Sequence, residues 1–266
     1  MNLPSGKIDS DLIPFALELA AVAAPETLRH FRTSGTVENK AEAGQIDPVT
    51  AGDRNAEAAM RRLIGQRYPD HGIIGEEYGT EGADREFVWV LDPIDGTRAF
   101  VLGLPVWGTL IGLLHEGRPI AGVMAQPFVG DLFYGSAAGS FLKRGDDVRP
   151  LRAGRAVPLA SASIATTSPK LFDADDKPRY DRLEAACGLV RYGTDCYGYA
   201  LLAGGHVDLV VESGLKPFDI VALIPIVEGA GGQVTDWAGG SAAGGGRVLA
   251  AGDPALHAAA MDYLSG

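Results

Sequence analysis

The sequence predicts an α/β protein, with an α+β N-terminal half and a layered α/β C-terminal half. Three observations lead there. Apolar residues recur at helical spacing before Pro69, and short apolar runs between Gly-rich turns follow from Phe87 to Lys143. From Pro158 onward, strand-like and helix-like segments alternate.

Between Ser10 and about Phe31, Leu12, Ile13, Ala16, Leu17, Ala20 and Ala24 fall on one stripe, which predicts a helix with a buried face and Pro14 in its first turn. Thr50-Ala-Gly-Asp53 reads as a helix cap ahead of a second stripe, Ala56, Ala59, Met60, Leu63 and Ile64, ending near Tyr68-Pro69. The period then changes. Phe87-Val-Trp-Val-Leu91 reads as a buried strand stopped by Asp92-Pro93. Trp107–His115 and Ile120–Gln126 flank the turn Glu116-Gly-Arg-Pro119, and with 131–135 and 140–143 they predict an antiparallel meander. Beyond Pro158 the expected strands are 159–166, 189–192, 207–212, 233–236 and 248–251, and the expected helices 177–187, 196–204, 218–229 and 254–264. Residues 239–246 read as a surface loop. Charges, Gly and Pro between 145 and 155 mark an expected boundary between an N-terminal unit, residues 1–150, and a C-terminal unit, residues 151–266.

Of 266 residues, 46% are hydrophobic and 21% charged, the balance of an ordinary globular protein. The 36 glycines are about twice average usage, which implies many tight turns and close backbone approaches. A net charge of −11 repels polyanions, so neither nucleic acid nor an acidic membrane surface is an expected partner. Cys187 and Cys196 cannot build a disulfide framework, and Met1–Lys7 lacks the basic-then-apolar pattern of a signal peptide. Residues 101–114, the most apolar stretch, are broken by Gly103, Pro105, Gly108 and Gly112 and fall short of the ~20 a spanning helix needs. A cytoplasmic protein is expected.

The acidic residues that could do chemistry sit at strand ends and helix starts: Asp47, Glu76-Glu77, Asp92, Asp95 and Asp219. In Trp89-Val-Leu-Asp-Pro-Ile-Asp-Gly-Thr97 a strand ends at Asp92, a second carboxylate follows at Asp95, and the Ile94 carbonyl lies between them. Such a turn can gather the oxygen donors that Mg²⁺ takes at about 2.1 Å, and Gly96 lets a phosphate approach backbone N–H groups near Thr97. Asp-Pro and Asp-Gly are equally ordinary turn dipeptides. Ile73-Ile-Gly-Glu-Glu77 is a second apolar stub ending in acids, by itself a solvated loop, although two adjacent carboxylates gain from a shared cation. Asp219 in Leu215-Lys-Pro-Phe-Asp219 has a plain alternative in the helix dipole, and Thr50 and Asp53 in capping.

Other chemistries lack their signatures. The histidines, His30, His71, His115, His206 and His257, are scattered without zinc spacing, and neither a Gly-x-Ser-x-Gly elbow nor a Gly-x-x-x-x-Gly-Lys-Ser/Thr loop occurs. Both cysteines read as packing residues.

Together these residues resemble the inositol-monophosphatase-like metal-dependent phosphatases. The matches are Asp47-Pro-Val-Thr50 with Asp53, Gly75-Glu-Glu77, Asp92-Pro-Ile-Asp-Gly-Thr97 followed by Phe100, and Asp219 before an apolar helix ending Glu228-Gly-Ala-Gly-Gly232. Within that family, Arg191-Tyr-Gly-Thr-Asp-Cys-Tyr197, Ala200-Leu-Leu-Ala203, Val207-Asp-Leu-Val-Val-Glu212 and Gly214-Leu-Lys-Pro-Phe-Asp-Ile220 resemble the histidinol-phosphate phosphatase branch, with Thr194 where that branch usually has Gly and Phe218 where it has Tyr.

The resemblance implies an α-β-α-β-α sandwich of the inositol monophosphatase and fructose-1,6-bisphosphatase type, a homodimer, and two or three Mg²⁺ ions per site. It implies that Glu76, Asp92 and the Ile94 carbonyl hold one Mg²⁺, and Asp92, Asp95 and Asp219 a second. Thr97, with Asp47 behind it, would orient the attacking water. Gly96 and Thr97 would bind phosphate, and Asp195 and Glu212 would meet the alcohol part of a small phosphate ester. The implied reaction is hydrolysis of histidinol phosphate by metal-activated water, in histidine synthesis. The alternatives are an inositol monophosphatase or a broader sugar or nucleotide phosphatase. A non-catalytic phosphate-binding module would have a broken ligand set, whereas this one is intact.

Overall fold

The computed structural model of the chain describes residues 8–33, 38–39, 48–49, 51–154 and 156–265. The two helical stripes fold as expected. Helix α1 (Ile13–Leu28) buries Ile13, Phe15, Ala16, Leu19, Ala20 and Ala23, and α2 (Ala51–Arg67) buries Ala56, Met60 and Ile64. The first helix ends three residues before Phe31, in a turn where Arg32 adopts a φ of 57°.

Both helices cover one face of an eight-stranded sheet, sheet I. Its strands are β3 (Gly72–Gly75), β4 (Gly79–Glu81), β5 (Phe87–Asp95), β6 (Gly108–His115), β7 (Arg118–Gln126), β8 (Asp131–Ser136), β9 (Gly139–Arg144) and β10 (Asp147–Pro150). A separate two-residue ladder pairs β1 (Glu38–Asn39) with β2 (Pro48–Val49). In sheet I the order is β10-β9-β8-β7-β6-β5-β3-β4, antiparallel throughout except for β3 beside β5. The expected meander is therefore present, and β3, β4 and β10 extend it. Alternation along β6 and β7 sends Ile111, Leu113, Val123 and Ala125 towards α1 and α2, and Leu110 and Met124 to the other side.

Sheet II has the order β12-β11-β13-β15-β14 and comprises β11 (Ser163–Thr166), β12 (Leu189–Tyr192), β13 (Leu209–Leu215), β14 (Gln233–Asp236) and β15 (Gly246–Ala251). Between the sheets lie α5 (Asp195–Ala203) and α7 (Leu223–Gly229), packed with Phe133 and Leu142 from sheet I and Val210, Val234 and Val248 from sheet II in one core. Outside sheet II, α4 (Lys177–Ala186) and α8 (Pro254–Leu264) bury Tyr180, Leu183, Leu256 and Leu264. The five layers alternate α-β-α-β-α, and residues 150 and 151 fall at the passage from one sheet's strands to the other's.

Three elements differ from expectation, the first being the strand expected over 159–166, which begins only at Ser163 after a helical turn over Leu159–Ser161. Strand β5 does not stop at Asp92 but continues to Asp95. The helix expected over 218–229 is two, α6 (Pro217–Ile220) and α7, because Pro225 has no N–H to bond back to Val221 and is accommodated only in a new first turn.

Glycine explains how the α6–α7 segment reaches the sheet. Gly112, Gly122 and Gly135 are direct cross-strand neighbours on β6, β7 and β8. A Cβ at Gly122 would stand 1.8 Å from the Ala222 carbonyl oxygen, one at Gly112 2.9 Å from the Ala222 nitrogen, and one at Gly135 2.6 Å from the Pro225 carbonyl oxygen. The row forms a side-chain-free lane in which the backbone after Asp219 lies.

Gly122→Ala is expected to lower stability by ~1–3 kcal/mol through overpacking against main chain that cannot rotate away. Gly65→Ala, on the exposed side of α2 with open space at its Cβ, is expected to raise stability by ~0.5–1 kcal/mol. Urea denaturation of both variants checks the contrast.

Candidate active site

In a regular strand, Asp92 and Asp95 would point to opposite faces, since side chains alternate with a period of two. Strand β5 breaks that rule. Asp92 pairs with Leu110 of β6 and Asp95 with Gly108, so three steps along β5 match two along β6. The extra residue is a bulge, and it brings both carboxylates to one side. Two bonds pin it: the Ile94 N–H donates to Asp92 Oδ1 at 3.0 Å, and Thr109 Oγ1 donates to the Pro93 carbonyl at 2.8 Å. The Ile94 side chain anchors the turn among Phe31, Phe100 and Trp107.

Glu76 arrives by register. Gly75 of β3 lies beside Leu91 of β5 in parallel pairing, and the Glu76 N–H donates to the Leu91 carbonyl at 3.2 Å, so Glu76 emerges next to Asp92. Buried Glu57 of α2 holds this turn, accepting the N–H groups of Glu77 at 2.7 Å and Tyr78 at 3.2 Å while paired to Arg61. A Cβ at Gly75 would stand 2.0 Å from Glu57 Oε1, so a larger residue there would displace Glu57 from this turn. Glu77 does not join Asp92; its carboxylate faces Arg54 at 3.7 Å.

Asp219, the third residue of α6, completes the cluster, with Oδ2 accepting the Lys216 N–H at 2.6 Å. Carboxylate oxygens of Asp92, Asp95 and Asp219 all lie within 4.8 Å of one another. The partner of the Asp95 carboxylate comes from the far half of the chain: the Cys196 N–H of α5 donates to Asp95 Oδ2 at 2.7 Å. Just before it, Asp195 takes the left-handed region, with a φ of 44°. Gly96 opposite has a φ of 83°, and a Cβ there would stand 3.0 Å from that of Asp195, so the two positions are mutually fitted.

All the expected site residues that are described, Glu76, Asp92, Ile94, Asp95, Gly96, Thr97, Asp195, Glu212 and Asp219, line one cleft of about 240 Å³. Asp47 and Thr50 lie outside the described residues. Thr97 begins the short helix α3 (Thr97–Val101), and its hydroxyl donates to the Ile94 carbonyl at 3.1 Å. Buried Glu212 on β13 accepts three bonds from the end of β11, the Thr167 N–H at 2.6 Å and the hydroxyls of Thr167 at 2.9 Å and Thr166 at 3.1 Å. Arg98, Thr167, Leu171 and Leu215 also line the cleft, and the sequence reading gives them no role there. Arg98 follows the Asp-Gly-Thr motif directly, which is a signal for it; Leu171 carries none. Asp53, expected as a cap, is buried in the first turn of α2, close enough to act on Asp92. Cys196 is buried, and desolvation pushes its thiol well up, in keeping with a packing role.

Burial, reinforced by the charges of Glu76, Asp95, Asp219 and Asp53, raises Asp92 well above the ordinary carboxylate range. Burial with Asp219 and Asp195 does the same to Asp95, against the hydrogen bond from Cys196. Asp219 is pushed up to about 6 by burial, opposed by Lys216, and Asp195 to about 6 by burial, opposed by Arg98. Burial likewise lifts Glu212 to about 7 despite its threonine donors. The largest charges acting on Asp92 are all carboxylates, and Lys216 opposes the shift only at Asp219. A carbonyl and carboxylate donor set of this kind fits a hard divalent cation.

Fold and cleft together define a layered α/β protein with a carboxylate-lined centre. A model of the inositol monophosphatase family matches residues 9–265, so the chain belongs to that family and is a metal-dependent phosphatase. It is 42% identical over 278 residues to the bifunctional phosphatase IMPL2, chloroplastic, of Arabidopsis thaliana, covering 98% of this chain and 78% of the relative. It is 37% identical over 228 residues to a histidinol-phosphatase of Chlorobaculum parvum, covering 85% and 86%. A solved structure of an inositol monophosphatase from Zymomonas mobilis is 40% identical, with a TM-score of 0.86 over 96% of this chain and 98% of that one.

The cleft carboxylates have folded pKa values above their unfolded ones, so the folded chain holds extra protons between about pH 4 and pH 7 and loses stability as pH rises through that window. A divalent cation competes with those protons. The rise in Tm on adding saturating Mg²⁺ to metal-free protein is therefore expected to be larger at about pH 8 than at about pH 5.5 by calorimetry, and equal or absent shifts contradict a cation centre.

Proposed function

We propose that this phosphatase is a Mg²⁺-dependent histidinol-phosphate phosphatase acting in histidine synthesis. The observation that carries the reading is the pair of carboxylates, Asp195 and Glu212, lining the cleft that also holds the acidic centre. Histidinol phosphate carries an ammonium and an imidazole beside its ester, whereas inositol phosphate offers only neutral hydroxyls. Cations are recognised most strongly by charge-assisted hydrogen bonds. The 37% identity to the histidinol-phosphatase of Chlorobaculum parvum supports the same choice.

In this reading Glu76, Asp92 and the Ile94 carbonyl hold one Mg²⁺, and Asp92, Asp95 and Asp219 a second. When bound, the ions supply Lewis acidity that activates water and offsets charge on the phosphate and the leaving oxygen. The chain's own groups position the reactants. Thr97 has one hydroxyl proton: in this structure it goes to Ile94, and donation to Asp47 instead would free the Ile94 carbonyl for the cation. Either way the Thr97 oxygen keeps lone pairs to accept a hydrogen bond from the attacking water, and only with the Asp47 carboxylate as its partner could its own proton pass on as the proton of the water arrives. Backbone N–H groups of Gly96 and Thr97 take phosphate oxygens. Asp195, opposed by Arg98, pairs directly with the substrate ammonium. Glu212, already accepting three bonds, holds the Thr166–Thr167 turn at the cleft wall and adds its charge. The N-terminal unit thus supplies Glu76, Asp92 and Asp95, and the C-terminal unit supplies Asp219 and the substrate side. A homodimer in the cytoplasm belongs to the same reading.

The 40% identity to the Zymomonas mobilis protein favours a second reading, an inositol phosphatase with the same centre. Phosphate release from histidinol phosphate, inositol 1-phosphate and an adenosine phosphate, with and without Mg²⁺, separates the two. The expected result is a Mg²⁺-dependent preference for histidinol phosphate of ~100-fold or more in kcat/KM, about 2.7 kcal/mol. Asp195→Asn is expected to raise KM for histidinol phosphate more than for a neutral ester, and Asp92→Asn to abolish turnover on both. A flat or inositol-favouring profile contradicts the substrate assignment.

A further inference from the structure

A second cavity lies at the edge of sheet I. On edge strand β10, Arg149 pairs with Leu142 of β9, which pairs in turn with Phe133 of β8. Directly paired residues share a face, as do residues two apart along a strand. Arg149, Leu142, Phe133, Arg144 and Asp131 therefore stand together. Their face is the inner one, since Leu142 and Phe133 pack in the core with α5. Where the sheet edge runs past the C-terminal half of α5, a cavity of about 370 Å³ opens, and it shares no lining residue with the acidic cleft.

Its charge opposes that of the molecule. In a chain of net charge −11, Arg144, Arg149, Arg152 and His206 line one cavity with a single carboxylate, Asp131. Asp131 is buried and already satisfied, by Arg144, whose Nη2 donates at 3.1 Å, and by the Tyr197 hydroxyl. Among the described residues, the side chains of Arg149, Arg152 and His206 make no hydrogen bond or close ion pair. An inward charge on an edge strand blunts edge-to-edge pairing, which accounts for Arg149. It does not account for Arg152, beyond the end of β10, or for His206, in the turn after α5. All of them converge on one space whose floor, Phe133, Leu142 and Leu201, is apolar.

We infer that this cavity binds a small organic dianion, a phosphate or phosphonate with an apolar body. The planar fork of a guanidinium can pair with two oxygens of such a tetrahedral head group at once and strengthens its hydrogen bonds, while the apolar floor receives the body. The acidic cleft without its cations repels the same ligand, which separates the two sites experimentally.

The test is calorimetric titration of the full chain with phenylphosphonate, which is not hydrolysed, in excess chelator. Saturable binding is expected. Arg149 and Arg152 are exposed, so the double variant Arg149→Ala, Arg152→Ala should match the wild-type Tm, and it should weaken binding by ~10-fold or more. Asp92→Asn should leave the affinity unchanged. Absence of saturable binding, binding that the double variant retains in full, or binding that Asp92→Asn abolishes would each overturn the inference. So would an affinity no greater than that for inorganic phosphate.

Discussion

One extra residue in β5 sets the chemistry of this protein. Without the bulge between Asp92 and Asp95, strand alternation would bury one carboxylate in each of two separate cores. With it, both reach one cleft, where Asp219 joins them within 4.8 Å. Like charges so close in a poorly solvated place are costly, and burial with mutual repulsion raises the pKa values of Asp92 and Asp95. Rigidity keeps the group together. The Asp92–Ile94 and Thr109–Pro93 hydrogen bonds close the turn, and the Phe31, Phe100 and Trp107 cluster grips Ile94 from beneath.

The remaining ligand candidates depend on the same sheet. Glu76 reaches the centre because β3 runs parallel to β5, and Glu57 keeps its turn from relaxing away. Asp219 depends on the glycine lane across β6, β7 and β8, which lets the backbone at Ala222 lie against strands with no intervening side chain. Through Cys196, α5 ties the interior helix layer to Asp95, and it sets Asp195 against Gly96 in a backbone conformation that non-glycine residues seldom adopt. Asp195 and the carboxylate centre are thus fixed by one network, with little freedom to adjust separately.

Much of this is legible in the sequence, for reasons that can be stated. The stripes of α1 and α2 and the meander are periodic, and period survives without knowledge of tertiary contacts. The acidic motifs stand out because carboxylates at strand ends rarely serve packing. What escapes is whatever depends on register. Nothing in the spacing of residues 112, 122 and 135 announces a lane, because they align only once β6, β7 and β8 are paired. Glu57 looks like one half of an ordinary helical ion pair with Arg61, yet it serves backbone groups at Glu77 and Tyr78. Short β3, β4 and β10 give too few residues for alternation to show. Asp92 reads as a strand terminus because Pro93 commonly ends a ladder, whereas here a bulge absorbs it.

Crystals grown with Mn²⁺, a cation that favours the same oxygen donors as Mg²⁺, test the centre most directly. Anomalous scattering is expected to place a peak between the Asp92, Asp95 and Asp219 carboxylates, and the peak should vanish in Asp95→Asn. Saturating Mn²⁺ with no peak in that cleft would contradict the account.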